Sequence, residues 1–588
     1  MADILTESDA SLPQPTQRVN GNAVFDKTRN PVARGEWLIV LAIAVAAVAF
    51  VQIPYVLGYA LAKPGTEFTG LMINVDDGTY VSSIRQGIEG AWLYRSPFTT
   101  EERAPVFIEV FYLALGHLAR ALNLSAVAMW HVARIVADMV LFAAIFGFVA
   151  SFLRLPAQRL VAYLLALFSA GFDLWRFAFD PPSSFEAVPI DLRIPEAHIF
   201  YSALTFPHFA FGIALVLITF GLLLRVLTMP PSPRQWLLAF GAGLGNFLIG
   251  IVYPFLIYLM IAVAGAYYIF LAWRQRRILW REAVTLFVAF AVPAPLFLHY
   301  QVALTTNPVL QMWNAQATTL SPNPIHFLLT YTPLLPFALL SLRTIAQMDE
   351  HRKRVMVFLW VWVCAVALLL YTPITQQRRF VEGVQVPLAI LATLGLFEVA
   401  LPWLARTRVF IGLSQRPGYS VAGLQRLIIV AMVALASLSS AYVWLSSVVL
   451  LGFVQPYPFF RPSAEIQAMD WLRVHSAPEE NVIASYWTGS FLPSRADNSV
   501  FIGNRYETVR FEDKQRMSEK FFSAGADDAW REALLREYHI AYVFWGRGER
   551  DLGDFDPARA SYLQPVFMND AVRIYHVDIP HVSLRTQQ

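Results

Sequence analysis

The chain has 588 residues, of which 56% are hydrophobic and only 15% charged, with a formal net charge of +3. A soluble protein of this size carries about a quarter charged residues, so the composition excludes an ordinary soluble fold and places the chain in a membrane. So small a positive excess, scattered in short clusters, excludes a nucleic-acid partner; the single cysteine, Cys364, excludes a disulfide framework and a cysteine-based metal site.

Residues 1–35 are polar, with Pro13, Pro15 and Pro31, and end in a basic stretch with Lys27, Arg29 and Arg34. No short apolar core of a signal peptide stands near the start, and a disordered cytoplasmic tail is predicted. Residues 37–60 are apolar enough to cross about 30 Å of hydrocarbon as a helix. With the basic tail inside, the stretch 74–80, with Asp76 and Asp77 side by side, emerges on the outer face.

Residues 61–125 read as a large outer loop. Its stretches 78–92 and 105–122 mix apolar and polar residues at helical spacing, the pattern of helices that lie along a membrane surface. If 105–122 crossed instead, the basic turn with Arg154 and Arg159 would fall outside, against the positive-inside rule. Spans are then predicted over 127–152, 157–171, 206–227, 237–251, 254–273, 283–300, 327–342, 355–371, 386–404 and 427–451. Their inner turns carry Arg225, Arg234, Arg274, Arg276, Arg277, Arg281, Arg343, Arg352, Lys353, Arg354, Arg406 and Arg408. That makes about eleven transmembrane helices, N-terminus inside and C-terminus outside. Gly241, Gly243 and Gly245 suit close helix packing, and Arg134 and Asp138, one turn apart, form a pair able to satisfy each other.

From about residue 456 the composition turns soluble. A helix over 463–475 with a serine start, strands over 481–485, 499–502 and 540–544, helices over 511–522 and 527–538, and a closing hairpin over 566–576 predict an extracytoplasmic α/β domain. The expected organisation is thus a tail (1–35), a transmembrane domain (36–455) and an α/β domain (456–588).

Adjacent carboxylates repel and are costly beside hydrocarbon, which marks Asp76 and Asp77 as a candidate site; a solvated loop is the plainer reading. The whole arrangement resembles the GT-C superfamily of membrane glycosyltransferases: one span, an outer loop opening with an acidic pair, about ten more spans and an outer domain. Residues 200–209, 376–380 and 501–508 resemble its bacterial branch with a C-terminal α/β domain. The resemblance implies transfer of a sugar from a polyprenyl-phosphate donor to a glycan, lipid or protein acceptor on the outer face of the cytoplasmic membrane. It implies inversion at the anomeric carbon, with Asp76 or Asp77 as the base.

A departing phosphate calls for donors at the outer membrane surface. Arg378 and Arg379 stand on a short outer loop where the positive-inside rule disfavours arginine, and the guanidinium fork suits phosphate. Lipid headgroups or Glu382 could equally hold them. Arg85, Arg95 and Arg103 are further candidates in the first loop. His208, after Pro207, is a helix-start residue or a hydrogen-bonding group for sugar. Trp313, in the uncharged loop 305–324, offers an aromatic face for carbohydrate or caps the bundle. The resemblance implies no required cofactor. A divalent cation, magnesium or manganese, would draw on Asp76 or Asp77 with Asp173, Asp180, Glu196, His198 or His208. A lipid-linked glycan transporter or flippase, or a glycan polymerase or ligase, has a similar outline.

Overall fold

The computed structural model describes residues 32–72, 78–179 and 187–579. The tail to residue 31, the pair Asp76 and Asp77, and Asp180 lie outside the described residues. The chain forms two compact units: one of residues 1–52, 134–297 and 319–446, the other of 53–133, 298–318 and 447–588. The expected outer loop at 61–125 and the residues after 456 therefore fall in the same unit.

Among the described residues, seven helices are long and apolar enough to cross a membrane: Arg34–Ala60, Ala126–Phe152, Pro156–Phe177, Pro207–Thr228, Arg234–Val252, Leu256–Gln275 and Gln377–Leu404. Three bent pairs raise the number to as many as ten. Each bend has a local cause. Trp280–Ala291 and Ala294–Thr306 meet at 51° across Pro293, and Pro324–Thr330 and Leu335–Ala346 at 80° across Pro333. Proline removes a backbone donor and clashes with the preceding turn. At the third bend, of 46°, the Ser437 hydroxyl donates to the Val433 carbonyl at 2.8 Å, a bond back along the helix that loosens the ladder. Over the expected span 355–371 the 20-residue helix Glu350–Leu369 forms, its N-terminal end crowded with Glu350, Arg352, Lys353 and Arg354, and it is not among these candidate spans.

Small residues set the close approaches within the first unit. A Cβ on Gly395 would strike the Phe337 carbonyl, so helices Gln385–Gly395 and Leu335–Ala346 touch backbone to backbone. The expected packing role of Gly243 and Gly245 is met on two faces: Gly243 lies against Val292, Gly245 against Thr219. Arg134 and Asp138 are both buried, yet neither Asp138 oxygen accepts a hydrogen bond among the described residues. The four-residue spacing puts the two on one helix face, where Arg134 acts on the Asp138 carboxylate electrostatically and not through a hydrogen bond among the described residues.

In the second unit, helices Gly78–Ile88 and Val110–Leu122 pack through Gly87 and Gly116; a Cβ on either would meet the opposite backbone. Both helices start or end short of the expected 78–92 and 105–122. Residues 91–109 instead include a bridge in which Tyr94 and Val106 exchange backbone hydrogen bonds at 2.8 and 2.9 Å. Strands β1 (Thr66–Phe68) and β2 (Phe460–Pro462) pair antiparallel. Strands β3 (Asn481–Ile483), β4 (Ile540–Trp545), β5 (Leu563–Met568) and β6 (Arg573–Val577) form one sheet in the order β3-β4-β6-β5. β3 and β4 are parallel; β5 and β6 are the expected hairpin, turning at Asn569 and Asp570. Helices Phe511–Phe522 and Asp528–Glu537 form where the periodicity placed them. The predicted strand at 499–502 reduces to a single parallel bridge from Val500 to Val482. Helix Ser463–His475 has the expected range, but Pro462 precedes it and no side chain caps it: Ser463 belongs to the strand exit, its N–H bonding Gly65.

Candidate functional site

In the first unit, Glu36 accepts two hydrogen bonds from Arg159 at 3.1 and 3.2 Å at one end of the bundle. The turns at 195–197 and 377–381 share the opposite end. The connection from helix Glu350–Leu369 to helix Gln385–Gly395 is closed by a tight helical turn, Gln377–Val381. Two backbone bonds pin it: the Thr319 N–H donates to the Thr375 carbonyl at 2.8 Å, and the Arg378 N–H donates to the Thr319 carbonyl at 3.1 Å. The turn also packs against the short turn Pro195–Ala197. Gln385, fully buried at the head of its helix, locks the surroundings. Its carbonyl accepts the Ile199 N–H at 2.8 Å, and its amide donates to the Ser169 carbonyl at 2.6 Å.

This scaffold holds two arginines against two acids. Arg378 lies 3.6 Å from the Glu196 carboxylate, an electrostatic pairing too long for a hydrogen bond. Its Nε is buried and donates to nothing among the described residues. Arg379 donates to the Tyr253 hydroxyl at 2.7 Å and stacks over the rings of Tyr253 and Phe255, 5.5 and 5.3 Å from their centroids. The His208 ring meets Tyr253 edge-on at 5.3 Å. Glu196 and Glu382 are both buried, and neither Glu382 oxygen accepts a hydrogen bond among the described residues. Beside these acids the buried Arg378 Nε keeps an N–H without a hydrogen-bond partner among the described residues, a donor suited to an oxyanion.

Beside it lies a second buried cluster. Asp191 accepts from the Thr330 hydroxyl, from the Leu174 N–H at 3.0 Å and from His198 Nε2 at 3.3 Å. Asp173 accepts from the Ile190 N–H at 2.7 Å and from His326 at 3.0 Å. Burial pushes the Asp191 carboxyl up, but His198, Thr330 and Leu174 together outweigh it and hold the group below the ordinary carboxylate range. His198 Nδ1 is buried without a hydrogen-bond partner among the described residues.

Of the residues singled out from the sequence, the structure brings Arg379 and His208 together around Tyr253, while the neighbouring Arg378 faces Glu196. Arg85, Arg95, Arg103 and Trp313 belong to the second unit. There Arg85 bonds Asp497 at 3.0 Å, Arg95 bonds the exposed Glu479 at 2.7 Å, and Arg103 donates to the Glu101 carbonyl at 2.8 Å and to Ser499. Burial, then the nearby Arg95, lower the Arg103 guanidinium to about 10. Trp313 stands 6.3 Å from the Tyr94 ring. Among the described residues no group of three or more His, Cys, Asp or Glu side chains is arranged to hold a metal ion. Asp173, His198 and Glu196, the oxygen and nitrogen candidates for one, face His326, Asp191 and Arg378 instead. Tyr253, Thr330 and His326 carried no signal in the sequence, because their partners Arg379, Asp191 and Asp173 stand more than a hundred positions away.

No protein-family model matches the chain, and no curated protein matches it in sequence. Solved structures do. ArnT from Cupriavidus metallidurans, bound to undecaprenyl phosphate, superposes at a TM-score of 0.52 with 12% identity, over 94% of this chain and 99% of that one. Its apo form superposes at 0.51 with 13% identity, over 91% and 98%. The arabinofuranosyltransferase AftD from Mycobacteria superposes at 0.52 with 14% identity, over 93% of this chain but 40% of AftD, so the chain spans less than half of that protein's length.

Proposed function

We propose that this multi-pass membrane protein, whose fold is that of the GT-C glycosyltransferases, transfers a sugar from a polyprenyl-phosphate donor to an acceptor on the outer face of the cytoplasmic membrane. The observation that carries the reading is the arginine pair at one end of the bundle, with Arg378 Nε buried and without a hydrogen-bond partner among the described residues and Arg379 held by Tyr253. In this reading the acceptor hydroxyl attacks the anomeric carbon and the carbon–oxygen bond to the phosphate breaks. The electron pair leaves with the polyprenyl phosphate, and the anomeric centre inverts. Asp76 or Asp77 takes the hydroxyl proton. Arg378 and Arg379 hold the phosphate and carry the charge that grows on it as it leaves. His208 supports this arrangement through Tyr253.

The reading is supported by an ArnT structure bound to undecaprenyl phosphate and by an arabinofuranosyltransferase, both of this fold. The test is transfer or slow hydrolysis of radiolabelled polyprenyl-phosphate hexoses and pentoses by the purified chain in lipid. One donor is expected to turn over. Arg378→Ala is expected to lower the rate about a hundredfold, as loss of one charge-stabilising donor does. Asp76→Asn or Asp77→Asn is expected to abolish turnover in a protein that still folds. Turnover of no donor, or wild-type rates in all three variants, would sink the reading.

A further inference from the structure

The sheet of the second unit carries a cleft that the donor reading does not use. From β3 the chain passes first to Val500, which bridges one edge of β3, then returns through helices Phe511–Phe522 and Asp528–Glu537 to β4 on the other edge. Parallel strands whose connections leave in opposite directions open a crevice at their carboxyl ends, where ligands sit in open α/β sheets. The cleft lies there. Ser485, Tyr486 and Trp487 follow β3, Ile502 follows the Val500 bridge, and Leu552 follows β4. Its volume of about 420 Å³ falls within the roughly 300–1,000 Å³ of small-molecule sites.

The two lips are locked by one carboxylate. Glu549, fully buried, accepts the Ser485 N–H at 2.8 Å from the segment after β3 and the Gly546 N–H at 2.8 Å from the segment after β4. The far wall is one face of helix Phe511–Phe522, presenting Phe511, Glu512, Gln515 and Glu519. Tyr486 meets Phe511 edge-on at 5.4 Å, and Arg505 reaches Glu512 at 3.4 Å across the mouth.

This lining selects its ligand. Aromatic rings take the apolar faces of sugar rings, and planar amide, carboxylate and guanidinium groups take their hydroxyls in pairs. Anions are disfavoured: Glu512 and Asp513 already occupy the first turn of the helix, where its positive end would otherwise attract phosphate, and Glu519 adds a further negative charge. We propose that the cleft is a binding site for a neutral saccharide, with Trp487 as the stacking platform and Glu512, Gln515 and Glu519 as the hydroxyl partners.

The inference stands apart from the donor reading, because it is tested by binding without turnover. The full chain in lipid nanodiscs is offered an array of defined neutral, amino and uronic tri- and tetrasaccharides, and the bound ones are titrated by calorimetry. At least one neutral saccharide is expected to bind saturably. Trp487→Ala and Gln515→Ala are each expected to weaken it at least tenfold with an unchanged unfolding midpoint. Trp487 is 42% exposed and Gln515 is half-buried, so neither supports the core. If Trp487→Ala should lower the midpoint, Gln515→Ala decides alone. Binding of no neutral saccharide, binding of charged ones only, or wild-type affinity in Gln515→Ala would overturn the proposal.

Discussion

Arg379 is held more tightly than Arg378, through a 2.7 Å bond to Tyr253 and two aromatic faces, where the Arg378 side chain has, among the described residues, one 3.6 Å electrostatic partner. Lysine keeps the charge but loses the planar fork and the stacking. Arg379→Lys is accordingly expected to lower donor turnover at least tenfold, and Tyr253→Phe to lower it less, both read by single-turnover transfer. Lys514 in the second unit makes a separate prediction. Burial, opposed by its ion pair with Glu101 at 2.7 Å, pushes its ammonium down to about 8. Between that value and the ordinary lysine value of about 10.4, the unfolded chain holds a proton that the folded one lacks. This group therefore makes stability rise with pH through that window and costs stability below it. Relative to wild type, Lys514→Met is expected to lose that rise, measured as the unfolding midpoint at pH 7.5 and pH 9.5. The sequence pointed to Arg378 and Arg379 because arginine is out of place on that short loop. It was silent about Lys514, whose partner lies more than 400 residues away.

At the level of elements, the glycine contacts set the most specific expectation. Gly116 faces the Ile84 carbonyl with no room for a methyl group. Gly116→Ala is expected to destabilise the pair Gly78–Ile88 and Val110–Leu122 by about 1–3 kcal/mol, the usual range for overpacking, read from thermal unfolding. Gly147→Ala, with nothing within 4 Å, is the control and is expected to be neutral or slightly stabilising. Most elements were legible beforehand. The helices Phe511–Phe522 and Ser463–His475 and the hairpin of β5 and β6 form where periodicity and turn residues placed them. The strand expected at 499–502 shrinks to one bridge because Val500 also donates its N–H to the Pro97 carbonyl, at 2.8 Å. The helix expected from residue 105 begins only at Val110, after Val106 is taken into its bridge with Tyr94.

For the whole molecule, the charge bias predicts that the turn with Arg154 and Arg159 is cytoplasmic and the loop with Asp191 and Glu196 is not. Single cysteines placed at 155 and at 188 in a Cys364→Ala background are expected to report this. Position 188 should react with an impermeant maleimide in intact cells, and position 155 only after permeabilisation. The reverse pattern would invert the topology and remove the outer-face acceptor from the proposed reaction. Most of the spans, the more polar composition after residue 456 and most helices and strands of that stretch could be read from the sequence alone, because hydropathy and periodicity are local and each segment declares its own environment; strands β1 and β2 could not, since each is three residues long and forms only by pairing with the other. Only the tertiary structure decided that residues 61–125 belong to one compact unit with the end of the chain. The same holds for the meetings of Arg378 with Glu196, Asp173 with His326, and the two parallel strand ends around Glu549. Those contacts join residues tens to hundreds of positions apart, and no local pattern encodes which distant partner a buried charge will find.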